Sequence, residues 1–294
     1  KPELIFDEEK NEIDWDLREL QLSGSAGDLD WRVGRLIFTW GITDFWPVID
    51  ILNPYDYSVF RNFQPEDQKV SIPALDLIYY LGDWELQLIG IPSHQAFRLA
   101  DDPDDPWLFY GPRSLMEAGI PLAVEEPAAD LSNAEVAARI RRPLGDWSLA
   151  AYYHYGRDRM GFPAMIADPT TGQPTGAIMA YHRQQLLGVS AQGSIGAELI
   201  RLEAAYYKTP DEEGDDPFVR NEMIKATAGW ERYLFLDINA HLQYIAEWRL
   251  EQEAYEAALA RGAVAEEELD HKLTLKLQAS WRNDRLQPYL FAFY

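Results

Sequence analysis

The sequence predicts an all-β protein, an antiparallel up-and-down transmembrane β-barrel with about twelve strands in this chain. Three observations predict this fold: long segments in which apolar and polar residues alternate, connections that are alternately short and long, and aromatic residues near the strand ends. A strand of a globular protein usually has about 5–6 residues, whereas a tilted strand that crosses a membrane needs about 9–11. Several of the alternating segments reach the greater length.

Two segments near the C-terminus show the alternation most clearly. Residues 236–248, LDINAHLQYIAEW, keep it over 13 positions with one exception, Ile245. In residues 271–281, HKLTLKLQASW, the leucines share one parity and both lysines share the other. Successive side chains of a strand point to opposite faces. We therefore expect these leucines to contact acyl chains and the lysines to point into a polar interior.

The remaining strands follow from the same pattern. In chain order the predicted strands are 13–24, 28–40, 70–81, 84–92, 133–142, 147–156, 181–192, 196–208, 219–231, 234–248, 270–281 and 286–294. Tight turns are predicted at LGDW (81–84), LGDW (144–147), QGSIG (192–196), RYLF (232–235) and RNDR (282–285). Gly-Asp and Asn-Asp pairs favour such turns because they tolerate positive φ. The long polar connections are 93–132, 157–180, 208–218 and 249–270, and the composition of 251–269 predicts a short loop helix.

Composition narrows the classes of function. The chain has 26 basic and 49 acidic residues, a net charge of -23, which argues against a nucleic-acid partner. It has no cysteine, which excludes disulfides and cysteine-ligated zinc. No apolar run approaches the ~18 residues of a membrane-spanning helix. The chain starts at Lys1 without an initiator Met, which we interpret as a processed or truncated N-terminus.

Aromatic residues near the strand ends favour a membrane over the main alternative, a soluble β-sandwich. The chain has 10 Trp, 16 Tyr and 12 Phe. Amphipathic rings concentrate at the headgroup level of membrane barrels. The predicted interface aromatics are Trp84, Trp147, Tyr155, Trp230, Trp248 and Trp281.

Charged residues occupy the parity opposite the apolar one. Burying so many charges in a dry core would cost several kcal/mol per unpaired ion, so a hydrated lumen is expected. The predicted lumen residues are Arg139, Arg141, Arg201, Glu203, Lys225, Asp237, Glu247, Lys272 and Lys276. They could select anionic solutes; the alternative is that the basic residues pair across strands with Glu135, Glu203 and Asp237.

One stretch, WRVGRLIFTWGITDFWPVIDILNPYDYS (31–58), carries a resemblance to a known family. Its Gly-Arg strand, Trp-Gly pair and closing Leu-Asn-Pro-x-Asp resemble a Gram-negative outer-membrane β-barrel family of unknown function. That family is distantly similar to alginate-export and other porin-like channels. Leu36 departs from the family, which commonly has Gln there. The resemblance implies the bacterial outer membrane, transport or export of a hydrophobic compound or polysaccharide, and a periplasmic partner protein. It also implies further strands, so we favour a fragment of a larger barrel over a complete barrel that ends on an aromatic residue.

The same stretch contains a candidate constriction. Within a single barrel domain, 1–294, residues 43–69 are expected to fold inward at one barrel mouth. The candidate constriction residues are Asp44, Trp46, Asp50, Asn53 and Asp56. The alternative is a packed connection in which Asp and Asn cap turns.

The sequence predicts no catalytic residue, metal site or cofactor. The five histidines show no ligand spacing, although Ser148 or Ser190 with His154 or His182 is the remaining enzymatic alternative. Acidic loops at 100–107 and 209–217 fit no EF-hand, and their predicted role is solvation or cation-bridged contact with lipopolysaccharide. Three hypotheses follow: a solute channel in the outer membrane, a closed barrel that acts as scaffold or binding protein, and a soluble carbohydrate-binding β-sandwich.

Overall fold

The protein is described by a computed structural model. The described residues are 2–7, 12–43, 48–58, 65–100, 102, 104–168, 170–172, 174–259, 265–283 and 285–294. Two candidate constriction residues, Asp44 and Trp46, lie outside them.

Seventeen strands and three short helices are present in this described part. The strands are β1 Pro2–Asp7, β2 Glu12–Leu17, β3 Leu20–Ala26, β4 Leu29–Leu36, β5 Ile72–Leu81, β6 Trp84–Ile91, β7 Leu122–Glu125, β8 Glu135–Leu144, β9 Trp147–Arg157, β10 Phe162–Ala167, β11 Pro174–Ala180, β12 Arg183–Ile195, β13 Glu198–Lys208, β14 Met223–Tyr233, β15 Ile238–Arg249, β16 Leu269–Ala279 and β17 Tyr289–Phe293. The helices are α1 Pro65–Gln68, α2 Tyr110–Glu117 and α3 Gln252–Ala258. None of these described helices is long and apolar enough to cross a membrane.

Twelve of the strands form one antiparallel sheet, as the sequence predicts. Its order is β17-β16-β15-β14-β13-β12-β9-β8-β6-β5-β4-β3, so strands that follow each other in this sheet along the chain are neighbours. The pairing of β12 with β13 runs over eleven residues from Gln185↔Lys208 to Ile195↔Glu198. The sheet is not closed within the described residues, and β3 and β17 are its edges.

Short and long connections lie at opposite ends of the sheet, which confirms the predicted alternation. Gly27, Gly82, Gly145 and Gly196 stand in four of the tight turns with φ between 58° and 65°, a conformation that glycine adopts without steric cost. Because the strands are antiparallel, every long connection falls at the other end, which we call the long-loop end. The opposite end is the turn end.

Three predictions about individual elements are wrong. The predicted strand 13–24 divides at Arg18 and Glu19: β2 pairs with β1 in a separate hairpin, and β3 joins the main sheet. The predicted strand 28–40 ends at Leu36. The segments predicted as loops contain a second, three-stranded sheet of order β10-β11-β7. The predicted loop helix is confirmed as α3.

The two faces of the main sheet differ as the alternation predicts. One face, the apolar face, carries exposed side chains such as Leu22 at 65%, Val189 at 56% and Leu273 at 41% exposure. The other face, the polar face, carries Asp76, His154 and similar buried residues. The further buried residues of the polar face are Gln87, Glu135, Ser190, Glu203, Thr227, Gln243 and Thr274.

Part of the polar face is dry, which differs from the expected hydrated lumen. The connection from β4 to β5, residues 37–71, is called the inner loop here; its described part lies against this face. It packs with the inward positions of several strands to form the apolar core. That core contains Leu36, Phe38, Trp40, Val48, Ile49, Leu52, Ile72, Ala74, Ile89, Ile91, Ala137, Tyr152, Leu186, Ala205, Tyr207 and Met223.

Candidate functional site

The inner loop crosses the polar face from β6 to β13. The Trp40 indole Nε1 donates to Gln87 Oε1 at 3.3 Å, and its ring lies 5.4 Å from the ring of Tyr152 on β9. Further along, the backbone N–H groups of Ile42 and Thr43 donate to Glu203 Oε1, the latter at 2.9 Å. The loop therefore occupies space that would otherwise belong to the barrel interior.

The base of the inner loop is fixed by buried polar contacts. Asn53, 1% exposed, accepts from the Phe38 N–H at 2.7 Å and donates to the carbonyls of Leu36 at 3.0 Å and Val70 at 2.8 Å. This one amide joins the end of β4, the loop and the start of β5. Unpaired buried backbone groups are costly, so each bond stabilises the inward path.

Two acidic residues of the loop also have defined partners. Asp50 forms an ion pair with the buried Lys69 and accepts from the Trp40 N–H at 3.1 Å. Asp56 Oδ1 accepts from the Ser58 hydroxyl at 2.6 Å. The three described candidates Asp50, Asn53 and Asp56 thus lie inside the fold, where they support the loop; their role in a constriction stays a prediction.

The predicted lumen arginines lie on the polar face in ion pairs. Arg139 and Arg141 both contact Glu85, the former at 2.7 Å. Arg201 contacts Glu231 at 2.7 Å. Cross-strand pairing was predicted, but the partners differ: Glu85 lies directly opposite Arg141, and Arg139 and Arg201 reach acids in diagonal positions on the neighbouring strand.

The lysines of the polar face extend this network. Lys225 contacts Glu247 at 3.0 Å, and Lys272 contacts the same carboxylate at 3.6 Å. Lys276 Nζ lies 5.7 Å from the centre of the Tyr289 ring. The prediction that Asp237 is a lumen residue is wrong. Asp237 lies in the turn between β14 and β15 with φ 56° and is exposed, so it is not on the polar face.

Between the inner loop and the polar face lies a cavity of about 480 Å³. Its walls combine aromatic and charged residues from the inner loop, from the strands β12 to β15 and from the connections that contain Phe97, Arg159 and Arg220. Residues that line it include Asp50, Tyr57, Arg159, Tyr207, Lys225 and Glu247. Burial raises the pKa of the Tyr57 hydroxyl, which therefore stays protonated and neutral. The cavity can hold a hydrated solute among paired charges.

At the long-loop end a buried carboxylate, Glu135, joins several segments of the chain. This role was not identified in the sequence. Glu135 contacts His94 Nδ1 at 2.9 Å, His154 Nε2 at 3.1 Å and Arg159 Nη2 at 2.6 Å. Arg159 also donates to the carbonyl of Ile51 at 3.0 Å. His94 belongs to the connection after β6, His154 to the strand β9 and Arg159 to the connection after β9, so no local spacing signals the group. It fixes the inner loop to the barrel wall.

The predicted interface aromatics divide between the two ends of the strands. At the turn end, Trp84 and Trp147 begin β6 and β9; Tyr155 lies near the long-loop end of β9. Tyr155 follows Trp147 by eight positions on the same strand, a rise of about 26 Å along the strand. Trp230 and Trp281 lie near the turn end and Trp248 near the long-loop end. At the tilt of about 35–45° of barrel strands, the rise from Trp147 to Tyr155 corresponds to about 18–21 Å along the membrane normal, somewhat less than the ~25 Å apolar band of a membrane barrel. A role of these aromatics at a lipid interface stays a prediction.

The remaining enzymatic alternative finds no geometric support in the described residues. Ser190 Oγ lies 3.0 Å from the Tyr152 hydroxyl, and His182 Nε2 contacts the carbonyl of Phe218 at 2.9 Å. His154 contacts Glu135 instead of a serine. In the described ranges no group of three or more His, Asp or Glu side chains could hold a metal ion.

The fold is similar to that of known bacterial outer-membrane proteins. OmpT (in-vitro folded), an outer membrane protein of Vibrio cholerae in its trimer form, matches 96% of this chain and 70% of its own, with a TM-score of 0.51 and 13% identity. At this identity the likeness shows the fold alone, and it confirms the predicted class: an antiparallel sheet of the outer-membrane β-barrel type. The predicted location, the bacterial outer membrane, agrees with that fold.

Two further structures are more distant. OpdK of Pseudomonas aeruginosa, solved with vanillate, matches 93% of this chain and 72% of its own at 10% identity, with a TM-score of 0.40. OccK2 of Pseudomonas aeruginosa, solved with glucuronate, matches 95% and 77% at 11% identity, with a TM-score of 0.39. Neither value is high enough to carry an argument. No protein-family model and no curated protein matches the sequence, so the resemblance of 31–58 to a particular family stays a prediction.

Proposed function

We propose that this protein is a porin-like outer-membrane channel, through which a solute passes passively along the polar face. One observation carries the proposal: a sheet with an exposed apolar face and a charged opposite face, with a cavity of about 480 Å³ between that face and an inward-folded loop. In a soluble sandwich the apolar face would pack against a second layer about 10 Å away. Here the described apolar side chains are exposed instead.

The charges around the cavity favour weak ion preference. Three acidic residues, Asp50, Asp158 and Glu247, line it together with three basic ones, Arg159, Arg220 and Lys225. Several are paired; for example, Arg220 Nε lies 3.3 Å from Asp158 Oδ2. Opposite charges at close range cancel at a distance, so we expect neither cations nor anions to be strongly excluded. As the solute we propose a hydrophobic compound or a polysaccharide.

A second candidate function is a closed barrel that serves as a scaffold or binding protein. The apolar core between the inner loop and the strands favours it, because Trp40, Ile49 and Leu52 are almost completely buried there. With the inner loop packed in this way, a solute could pass only through the space beside the loop or after the loop has moved. The two candidates therefore differ in whether the protein conducts ions.

The contact between Glu203 and the inner loop allows a direct test. Each hydrogen bond to a charged group contributes about 1.5–3 kcal/mol. Removing two of them should therefore shift the equilibrium between the bound and the displaced inner loop by a factor of ten or more toward the displaced loop. We expect purified wild-type protein to conduct in planar lipid bilayers and Glu203→Leu to conduct more.

Glu231→Gln is the matched control, because it also removes one negative charge from the polar face without a contact to the inner loop. It should leave the conductance near the wild-type value. Folded protein, checked by heat-modifiable gel migration, that gives neither conductance nor liposome uptake in any variant contradicts the channel and favours the closed barrel.

A further inference from the structure

Two arginines stand directly opposite each other on the membrane-facing side of the long-loop end. Arg157 of β9 and Arg183 of β12 are cross-strand partners. Each shares its parity with exposed apolar residues of its own strand, Tyr155 and Leu187. Like charges placed directly opposite destabilise a sheet unless something compensates them.

Both guanidinium groups are held in place by uncharged acceptors. Arg157 donates from Nε to Asn133 Oδ1 at 2.9 Å and from Nη1 to the Tyr181 carbonyl at 2.5 Å. Arg183 donates to the carbonyls of Ala134 at 3.0 Å and Ser132 at 2.6 Å. Three of the four acceptors belong to consecutive residues, so the two cations converge on one small patch.

No described carboxylate forms an ion pair with either arginine, although Glu135 is near enough to attract Arg157 electrostatically. Neither arginine forms an ion pair with any part of the chain that the structure describes, and Arg157 Nη2 and Arg183 Nε donate to no described acceptor. The chain has a net charge of -23, and by contrast five basic residues of the polar face are each paired with an acid: Arg139, Arg141, Arg201, Lys225 and Lys272. The Arg183 guanidinium also lies 5.1 Å from the centre of the Tyr155 ring, an aromatic residue at the predicted membrane interface.

We propose that Arg157 and Arg183 bind a phosphate group of an anionic lipid headgroup in the outer leaflet. The inference rests on the proposed membrane location, in which the long loops face outward. Arginine binds phosphate oxygens through charge-assisted, often bidentate hydrogen bonds. A phosphate at this position would compensate both charges and use the remaining N–H donors, while the acyl chains of the same lipid would cover the exposed apolar residues below.

The turn end offers a matched control. Arg142 of β8 is exposed, and its guanidinium lies 4.9 Å from the centre of the Trp84 ring. It resembles Arg183 in its contact with an aromatic ring, but it lies at the opposite end of the strands. An outer-leaflet lipid cannot reach both positions, so Arg142→Gln separates site binding from a general loss of positive charge.

The experiment measures binding of bisphosphorylated lipid A to the folded, purified full chain by native mass spectrometry and by thermal unfolding. We expect Arg157→Gln and Arg183→Gln each to weaken binding about tenfold or more, as the loss of one charge-assisted contact predicts, and Arg142→Gln to bind like wild type. Lipid A stripped of phosphate should bind wild type only as weakly as it binds the variants. Inorganic phosphate at the same concentration should give no thermal shift.

Equal binding of lipid A by wild type and both variants would overturn the site, as would an equal loss in Arg142→Gln. Phosphate-independent binding overturns the headgroup chemistry, and stabilisation by inorganic phosphate alone overturns the lipid as its source. The arm with dephosphorylated lipid uses wild-type protein and stays decisive if a variant fails to fold. A closed barrel would bind the lipid without conducting, so failure of the proposed channel and failure of this site give different results.

Discussion

At the residue scale, a single buried amide decides where the inner loop begins and ends. Asn53 satisfies one N–H and two carbonyl groups that belong to three different segments. Its position in the sequence, within LNPYD, identified it as a candidate, but the spacing predicted only a turn cap or a constriction residue. The long-range bonds to residues 36, 38 and 70 could not be predicted, because they depend on how the loop returns to the sheet.

Replacing this amide should destabilise the protein more than replacing a half-buried one. Asn53→Ala leaves three buried backbone groups without partners, and we expect a loss of about 3 kcal/mol in the free energy of unfolding. Asn239→Ala removes one bond, from Nδ2 to Glu231 Oε1 at 2.9 Å, and should cost about 1 kcal/mol. Urea unfolding in lipid vesicles measures both, and equal losses would contradict the assigned role of Asn53.

At the element scale, alternation predicted the strands best where one face is apolar and the other is charged. The predicted strand 270–281 corresponds to β16, Leu269–Ala279. The strand β6, LQLIGI after its first two residues, has apolar residues on both parities and one polar residue, Gln87, a pattern close to that of a strand buried on both faces. Its inward residues Ile89 and Ile91 belong to the core beneath the inner loop. That pattern was a local signal for a dry part of the polar face, and the fully buried Ile245, the apolar exception in the alternation of 236–248, was another.

The position of a predicted interface aromatic also depends on the residue that lies opposite it on the neighbouring strand. Trp147 is the cross-strand partner of Gly193, and a Cβ at Gly193 would lie 2.4 Å from its ring. We expect Gly193→Ala to displace the ring and cost about 1–3 kcal/mol through overpacking. Gly90→Ala is the control, because Gly90 also lies on the apolar face with nothing within 4 Å, and it should be neutral or slightly stabilising.

The measurement is unfolding in vesicles together with the quenching of tryptophan fluorescence by lipid-borne quenchers. Gly193→Ala should change both the stability and the quenching, whereas Gly90→Ala should change neither by a comparable amount. If Gly193→Ala is as stable as wild type with unchanged quenching, Trp147 does not rest on this glycine.

At the scale of the whole molecule, the central question is what covers the apolar face. The sequence predicted the fold class and the strand number of the main sheet, because both depend on the repeated two-residue period. It did not predict the Glu135 junction or the apolar core under the inner loop, because both bring together connections that are far apart in the chain. A large exposed apolar face marks a surface that lipid or another apolar partner covers.

A charge placed on the apolar face distinguishes lipid from water as the surroundings. Leu273 lies in the middle of β16 and is 41% exposed. If lipid surrounds it, Leu273→Arg should cost about 2–4 kcal/mol of folding free energy in vesicles. If water surrounds it, the same substitution should be almost neutral, since surface substitutions usually stay within about 0.5 kcal/mol.

Gln278→Arg provides the matched control, because Gln278 belongs to the same strand but has the parity of the polar face and is exposed. It should cost less than about 0.5 kcal/mol in either environment. The difference between the two variants in vesicle refolding therefore reports the surroundings of one face against the other, independently of arginine's effect on the strand itself. Equal and small effects would show that Leu273 contacts water, and both the channel and the lipid site would then be contradicted.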